Sequence, residues 1–327
     1  MASFSKFGND LYTGERSFNF VGRRRLWYSI AAVMIALSIL FPFLRGGFVF
    51  GIEFSGGSEF QVAGVAELDQ TIATNAVTSV VPEASPRVTT VGADSVRIQT
   101  EQLTSDQSTA VRDALAAAYD VPTEQVTSSF IGPSWGADIT GAALRALVIF
   151  LVLAAVLMAI YFRTWKMSLA AIVSLLHDII ITVGVYGAFG FEITPSAVIG
   201  FLTILGYSLY DTVVVFDKIR ENTSEGSSRT FAESVNLAVN QTLVRSINTG
   251  VVAALPVAAI LFIGSWILGA GTLRDIALAL FIGIIVGTYS TIYIAAPLYS
   301  QLREGEPAIA KTTKKTTSTR TTTGAVR

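Results

Sequence analysis

Residues 205–222 read LGYSLYDTVVVFDKIREN, an apolar run that carries a carboxylate before it ends in charged residues. If the run is a helix, Asp211 lies about 9 Å along it from Asp217 at the polar end. A charged group at that depth of a membrane costs about 2.5–3.5 kcal/mol, and such residues are usually functional. The stretch therefore predicts a transmembrane helix that carries a functional carboxylate.

The rest of the chain has the composition of a membrane protein. Of its 327 residues, 51% are hydrophobic and 14% are charged. A membrane-crossing helix needs about 20 mostly apolar residues. We interpret the first stretch that meets this requirement as a retained helix, because no small-residue cleavage site follows it. The pattern predicts an α-helical polytopic protein with six transmembrane helices: 26–44, 142–162, 168–189, 196–216, 246–268 and 275–298.

The charges predict the orientation of these helices. Residues 1–25 contain five Lys or Arg against two acidic residues, whereas 45–140 contain four Arg against twelve acidic residues. Short basic flanks stay in the cytoplasm. We therefore expect a cytoplasmic N-terminal segment at 1–25, an extracytoplasmic domain at 45–140 and a cytoplasmic C-terminus.

Two cytoplasmic segments complete this organisation. In the linker, 217–245, SEGSS (224–228) predicts a flexible break. A capping box at Thr230–Glu233 then starts a helix that lies along the membrane surface or runs into the fifth span. The tail, 299–327, is basic and lacks apolar periodicity, which predicts disorder. A solvated tail is favoured over one that binds anionic lipid or ribosomal RNA.

The insert at 45–140 has the pattern of an α+β domain. FVFGIEF (48–54) and SEFQV (58–62) indicate strands, and RVTTV (87–91) and SVRIQT (95–100) indicate a hairpin. Apolar residues recur at helical spacing in ELDQTIATNAVTSVV (67–81), which predicts a first helix. A second helix begins at the capping box Thr104–Gln107, and EQVTSSFIG (124–132) indicates the last strand. The order β-α-β-β-α-β predicts a ferredoxin-like fold, with another α+β sandwich as the alternative.

Few ionisable residues lie inside the predicted spans. Those deep in the spans are His177 and Asp178 in the third and Asp211 in the fourth, with Arg245 at the start of the fifth. The second and sixth spans carry Arg145 and the Arg274–Asp275 pair only near their outer ends. Arg245 lies at the cytoplasmic level of Asp211, so the two side chains are expected to meet. Desolvation raises the pKa of a carboxyl group and a nearby cation lowers it, so a carboxylate subject to both effects can bind and release a proton. A static ion pair that only fixes helix packing is the alternative.

Other chemistries find little support in the sequence. There is no cysteine and only one histidine, which excludes disulfides, thiolate sites and a His-rich metal cluster. No GxSxG motif supports a serine hydrolase, no GxGD motif supports an intramembrane aspartyl protease, and no phosphate-binding glycine loop is present. We therefore expect no enzyme activity, no cofactor and no metal. Gly283-x-x-x-Gly287 indicates close packing between spans of the chain.

Several motifs, taken in order, resemble one family. GYSLYDTVVVFDKIREN (206–222) resembles the most characteristic motif of SecF, the smaller partner of SecD in the bacterial Sec protein-export machinery. GIEFSGG (51–57) is similar to the family's GIDFTGG signature, with Glu53 for Asp and Ser55 for Thr. IGPSWGADI (131–139), LLHDIIITVG (175–184) and QTLVRSINTG (241–250) match further family segments. The resemblance covers about residues 20–300.

The resemblance implies half of an RND-type transporter in the bacterial cytoplasmic membrane. This half would pair with SecD beside the SecYEG channel, with YajC and SecA as indirect partners and no nucleic acid. It would use the proton motive force to draw unfolded secretory polypeptide outward late in translocation. Asp211 falls on the family's proton-pathway aspartate and Arg245 on its partner, while Asp178 and Asp217 fall on recurrent acidic positions.

Two other functions remain open from the sequence. One is an RND-type transporter of small molecules or lipids, which the single six-helix half and the small outer domain disfavour. The other is a scaffold of the translocon without proton coupling, in which Asp211 and Arg245 only pack. Replacing both residues with apolar ones of similar volume separates these readings, because a scaffold should tolerate the change and a proton relay should not.

Overall fold

The computed structural model describes residues 2–224, 229–264, 271–306 and 309. Within them, six helices are long and apolar enough to cross a membrane, as the sequence predicts. A helix that the sequence analysis missed, α1 (Ala2–Thr13), precedes the first span, α2 (Arg24–Leu44). Leu11 of α1 is fully buried, and the backbone N–H of Phe18 donates to Asn240 Oδ1 at 2.7 Å. The N-terminal segment thus packs on the start of the fifth span.

The insert between the first and second spans, here called the outer domain, confirms the predicted ferredoxin-like fold. Its four-stranded antiparallel sheet has the order β3-β4-β2-β5, and two helices cover one face. Alternate residues of β2 and β4, including Phe60, Val62, Val96 and Ile98, form its core against these helices. In chain order, after the short elements β1 (Val49–Phe50) and α3 (Ile52–Ser55), the elements are β2 (Gly57–Ala63), α4 (Gln70–Val80), β3 (Arg87–Val91), β4 (Ser95–Thr100), α5 (Ser105–Ala118) and β5 (Val126–Ile131).

The strand predicted over 48–54 is wrong for most of its length. Only Val49 and Phe50 are extended, and they pair in parallel with β6 (Glu192–Ile193), which joins the third and fourth spans. The chain then turns into α3, which ends at Gly56 with a φ of 76°. Gly57 follows with a φ of 148°, and a Cβ there would lie 2.5 Å from the carbonyl oxygen of Thr100. The glycine pair thus permits a turn that alternation alone does not reveal.

The other five spans follow the outer domain. The second, third and fourth are α6 (Pro133–Phe162), α7 (Trp165–Phe189) and α8 (Pro195–Ser224). The fifth is α9 (Phe231–Ala259) with a π-helical end, and the sixth runs from α10 (Gly271–Ser290) through a second π-helical segment into α11 (Ala296–Glu304). The third, fourth and sixth spans are about half buried within the chain, whereas the first, second and fifth are mostly exposed. The former three therefore form the centre of the bundle.

Several boundaries differ from those expected. The second span begins at Pro133, because Gly132 and Pro133 suit a helix start that the apolar window at 142 does not detect. The linker helix runs directly into the fifth span, and its Thr230–Glu233 capping box is formed. Helix α11 continues to Glu304 with Tyr299 buried, so the tail begins later than 299. Residues 225–228 of the predicted break, and the tail at 307–327 apart from 309, lie outside the described residues.

Candidate functional site

Asp211 is buried in the bundle between the fourth and fifth spans. Its side chain belongs to α8, and the residue is 6% exposed. Ser246 Oγ of α9 donates to Asp211 Oδ1 at 2.8 Å. Asp211 Oδ2 is buried and has no hydrogen-bond partner in the described chain. Leaving a buried carboxylate oxygen unpartnered is costly, and binding a proton reduces that cost.

Arg245 does not form the ion pair with Asp211 that the sequence analysis expects. Its side chain is exposed, and its Nη2 donates to Tyr210 Oη at 3.3 Å. No basic nitrogen of the described residues lies within 4.0 Å of the Asp211 carboxylate. Neighbouring residues point about 100° apart on a helix. The rotation of α9 turns Ser246 inward and Arg245 outward, so the serine contacts the aspartate.

Asp178 is a second buried carboxylate, on the third span. It is fully buried, and Ser208 Oγ of α8 donates to its Oδ2 at 2.6 Å. His177 is 3% exposed, and its Nδ1 lies 3.3 Å from Asp178 Oδ1. The His177 Nε2 atom is buried without a partner among the described residues. The two neighbours thus contact each other, although they leave the helix in different directions.

One face of α8 connects these groups. Ser208, Asp211 and Thr212 follow i, i+3, i+4 spacing and are all buried. The hydroxyls of Thr212 and Thr291 lie 2.9 Å apart, which connects the fourth span to the sixth. Three members of the site, Ser208, Ser246 and Thr291, were not predicted from the sequence. The polar helical spacing on an otherwise apolar helix could have indicated Ser208 and Thr212, whereas Ser246 and Thr291 needed the packing of the spans.

The sixth span approaches the site closely through Gly283 and Gly287. A Cβ on Gly287 would lie 3.0 Å from the Ser208 side chain and 3.6 Å from Asp178 Oδ2. A Cβ on Gly283 would collide with the Ile204 side chain. The Gly283-x-x-x-Gly287 pattern therefore packs spans of the same chain against each other, as predicted.

Asp217 lies apart from this cluster. It is exposed near the end of α8, about 9 Å of helix from Asp211. The structure thus places Asp178 of α7 against the buried face of α8 that carries Asp211, and leaves Asp217 and Arg245 exposed. The resulting site is a polar strip inside an apolar bundle, with two carboxylates, one imidazole and several hydroxyls.

Comparisons with known protein families, sequences and structures all find SecF, SecD/SecF or SecDF proteins. Residues 110–305 match the family model described as "Protein export membrane protein SecD/SecF, C-terminal". Protein translocase subunit SecF of Streptomyces coelicolor is 44% identical over 326 residues, which cover 96% of this chain and 84% of that protein. Protein translocase subunit SecF of Rhodothermus marinus is 36% identical over 296 residues, which cover 88% of this chain and 94% of that protein.

A solved structure is similar in fold as well. The crystal structure of SecDF, a translocon-associated membrane protein from Thermus thermophilus, superposes with a TM-score of 0.76 at 30% identity. The match covers 88% of this chain and 39% of that chain. The chain thus spans about two fifths of the SecDF polypeptide.

Proposed function

Because the chain belongs to the SecD/SecF family of protein export membrane proteins, we propose that it couples export to the proton motive force through Asp211. It is a multi-pass membrane protein and an auxiliary, SecF-type subunit of the Sec protein-export machinery. The proposal concerns its energy source. The observation that carries it is the buried Asp211 carboxyl, with one oxygen bonded to Ser246 and the other unpartnered.

Proton binding at Asp211 would change the packing of the fourth and fifth spans. Ionised, the carboxylate attracts the Arg245 guanidinium, whose long side chain reaches inward from Tyr210. Protonated, it no longer attracts a cation, and Arg245 returns to the surface position that the structure describes. One proton moving through 100 mV releases about 2.3 kcal/mol. This energy can shift a two-state equilibrium about 50-fold, enough to drive repacking of the bundle.

Two further acids have roles in the same path. Asp178 would exchange protons with Asp211 along the buried face of α8, where Ser208 already donates to Asp178 and lies one turn from Asp211. Asp217 would release the proton to the cytoplasm from its exposed position at the end of α8. Because water can accept the proton in place of an exposed carboxylate, Asp217 would contribute less to proton transfer than Asp211.

The partners and the orientation belong to the same proposal. The chain would assemble with SecD in the bacterial cytoplasmic membrane, beside SecYEG, with YajC and SecA as indirect partners. SecDF of Thermus thermophilus, in which a segment similar to this chain is part of one longer polypeptide, supports the pairing with SecD. Both termini would be cytoplasmic, as the basic flanks indicate. The chain would act without a catalytic site of its own.

The test is the export rate of a signal-peptide-bearing reporter in cells depleted of the native chain. Cells are complemented with wild type, Asp211→Asn or Asp217→Asn, and membrane levels are matched by immunoblot. We expect Asp211→Asn to insert normally and to export as slowly as uncomplemented cells, with Asp217→Asn much closer to wild type. Wild-type export by Asp211→Asn would refute proton coupling and favour the scaffold. Impaired insertion of the variant would instead favour a packing role.

A further inference from the structure

A cleft of about 840 Å³ separates the outer domain from the membrane bundle. Its volume lies within the range of about 300–1,000 Å³ that is typical of ligand clefts. The sheet forms one wall with the face that α4 and α5 leave uncovered. The loop between the third and fourth spans and the outer ends of the fifth and sixth spans form the other wall. The site described above lies inside the bundle and contributes no residue to this cleft.

The sheet wall is built from cross-strand rows of polar side chains. Thr89 pairs with Arg97, and Arg97 pairs with Gln61, so three strands contribute one row. These residues alternate with the buried core positions of the same strands. A polar face of this kind normally meets water in an antiparallel sheet. Here it faces the bundle across a gap, which Arg97 bridges with its Nη2 atom 2.7 Å from Glu192 Oε2. Gln99 Nε2 also donates to Glu192 Oε1 at 2.7 Å, and Arg87 Nη2 donates to the carbonyl oxygen of Gly190 at 3.3 Å.

Three polar atoms in the walls of the cleft have no partner within the described chain. They are Glu53 Oε2, Thr89 Oγ1 and Arg97 Nε, which together offer an acceptor, a hydroxyl and a donor. Buried polar groups are rarely left without hydrogen bonds. A ligand that supplies both donors and acceptors would satisfy all three after a small movement of the walls.

The edge of the sheet is also open to the cleft. Strand β3 is an edge strand, paired only with β4 in the described sheet. Residues 89–92 line the cleft consecutively rather than alternately, so the cleft reaches around the edge of the strand. An edge strand presents unpaired backbone N–H and C=O groups, to which an extended peptide can add as a further strand.

The opposite wall suits side chains of varied chemistry. Phe262, 60% exposed, lies there with Leu261 and Leu278, beside the charged Arg274 and Asp275. In all, four carboxyl groups and three guanidinium groups line the cleft. This near balance does not favour a strongly anionic or cationic ligand. It suits a polypeptide that presents backbone donors and acceptors continuously and side chains of any kind.

We propose that this cleft binds an extended segment of the translocating polypeptide, added as a strand along β3. The proposal rests on the export function and names where the substrate is held on this chain. Because backbone hydrogen bonds provide the affinity, binding is largely independent of sequence, as an export component requires.

The test is site-specific photo-crosslinking in membrane vesicles that contain the full chain and its translocase partners. A photoreactive phenylalanine replaces Thr90, which is exposed in the cleft, or Thr109, which is exposed on α5 in the helical layer. A labelled secretory reporter is stalled in the channel by a folded C-terminal domain. We expect the reporter to crosslink from position 90 and not from position 109. Equal crosslinking at both, or crosslinking from 90 only to another membrane subunit, would overturn the proposal.

A second pair of variants tests the cleft without relying on the probe position. Gln61→Trp fills the cleft from the sheet face. Thr127 lies opposite Gln61 on the neighbouring strand and does not line the cleft, so Thr127→Trp is the matched control. We expect Gln61→Trp to reduce the Thr90 crosslink about tenfold, equivalent to about 1.4 kcal/mol of binding, and Thr127→Trp to leave it unchanged. An undiminished crosslink with Gln61→Trp would contradict strand addition here.

The proposed proton coupling is tested separately in the same vesicles. Asp211→Asn is expected to abolish the response of export to the proton gradient while the reporter still crosslinks from position 90. If wild-type export depends on the gradient but the crosslink is missing, only peptide binding in the cleft is refuted. If the crosslink forms but wild-type export does not depend on the gradient, only the proton coupling is refuted.

Discussion

The ion pair between Arg97 and Glu192 should determine how firmly the outer domain is held on the bundle. Arg97 Nη2 lies 2.7 Å from Glu192 Oε2, and their side chains are 23% and 9% exposed. Gln99 Nε2 donates to Glu192 Oε1 at 2.7 Å and to Glu59 Oε2 at 3.0 Å. Arg97→Met would leave Glu192 with only the amide of Gln99 among these partners, close to a second carboxylate.

The expected cost follows from this geometry. Breaking a buried pair costs about 3–5 kcal/mol, and the partial exposure of Arg97 lowers this to about 2–3 kcal/mol because water reaches the site. A double-mutant cycle with Glu192→Gln should give a coupling energy of about 1.5–3 kcal/mol, the range for hydrogen bonds to charged groups. The double variant should therefore be less destabilised than the sum of the single variants.

The assay is denaturant unfolding of the full chain in detergent, followed by the fluorescence of probes on the outer domain and the bundle. Arg112→Met is the control, because Arg112 and Asp113 form a 3.8 Å pair whose side chains are 40% and 60% exposed. It should change the free energy of unfolding by less than about 0.5 kcal/mol. If Arg97→Met behaves like Arg112→Met, or the cycle gives no coupling, the pair does not hold the two parts together.

Two further predictions concern packing and pH. Gly283→Ala places a Cβ against Ile204 and should destabilise the bundle by about 1–3 kcal/mol. As the control, a Cβ at Gly206 meets no atom of the described residues within 4 Å, so Gly206→Ala should cost little. Equal free energies of unfolding for the two variants would contradict the packing. Burial raises the pKa of the Glu53 carboxyl, Glu192 and Glu59 raise it further, and its own backbone N–H opposes the shift. The contribution of Glu53 to the stability of the folded chain is therefore lost as the pH rises from the ordinary glutamate value of about 4.3 through the raised value. Glu53→Gln should abolish this loss in melting scans across that range, and an unchanged pH profile would exclude Glu53 as its source.

Local signals in the sequence were enough to predict the main architecture. The six spans follow from apolar length, and the capping boxes at Thr104 and Thr230 mark helix starts that the structure confirms. The hairpin at 87–100 follows from alternation on both sides of a Gly92 turn, whose φ of 70° suits glycine. These features depend on neighbours in sequence, and for that reason they could be predicted.

The contacts of Asp211 depend instead on how the helices rotate. Spacing along the chain places Arg245 and Ser246 at the same depth, but only the packing of α9 decides which of them faces Asp211. The contact of Ser208 with Asp178 similarly depends on close approach of the third and fourth spans. The sequence thus predicts which residues are functional candidates, and the tertiary structure decides their partners.

The most direct test of proton coupling measures export against an imposed proton gradient. Inverted vesicles are loaded with a half-translocated reporter, ATP is removed, and completion of translocation is followed as the lumen is made progressively more acidic than the medium. We predict that the wild-type rate rises with the gradient and that the Asp211→Asn rate remains constant at the zero-gradient value. The same gradient dependence in both would contradict the account, because Asp211 would then not carry the proton that drives export.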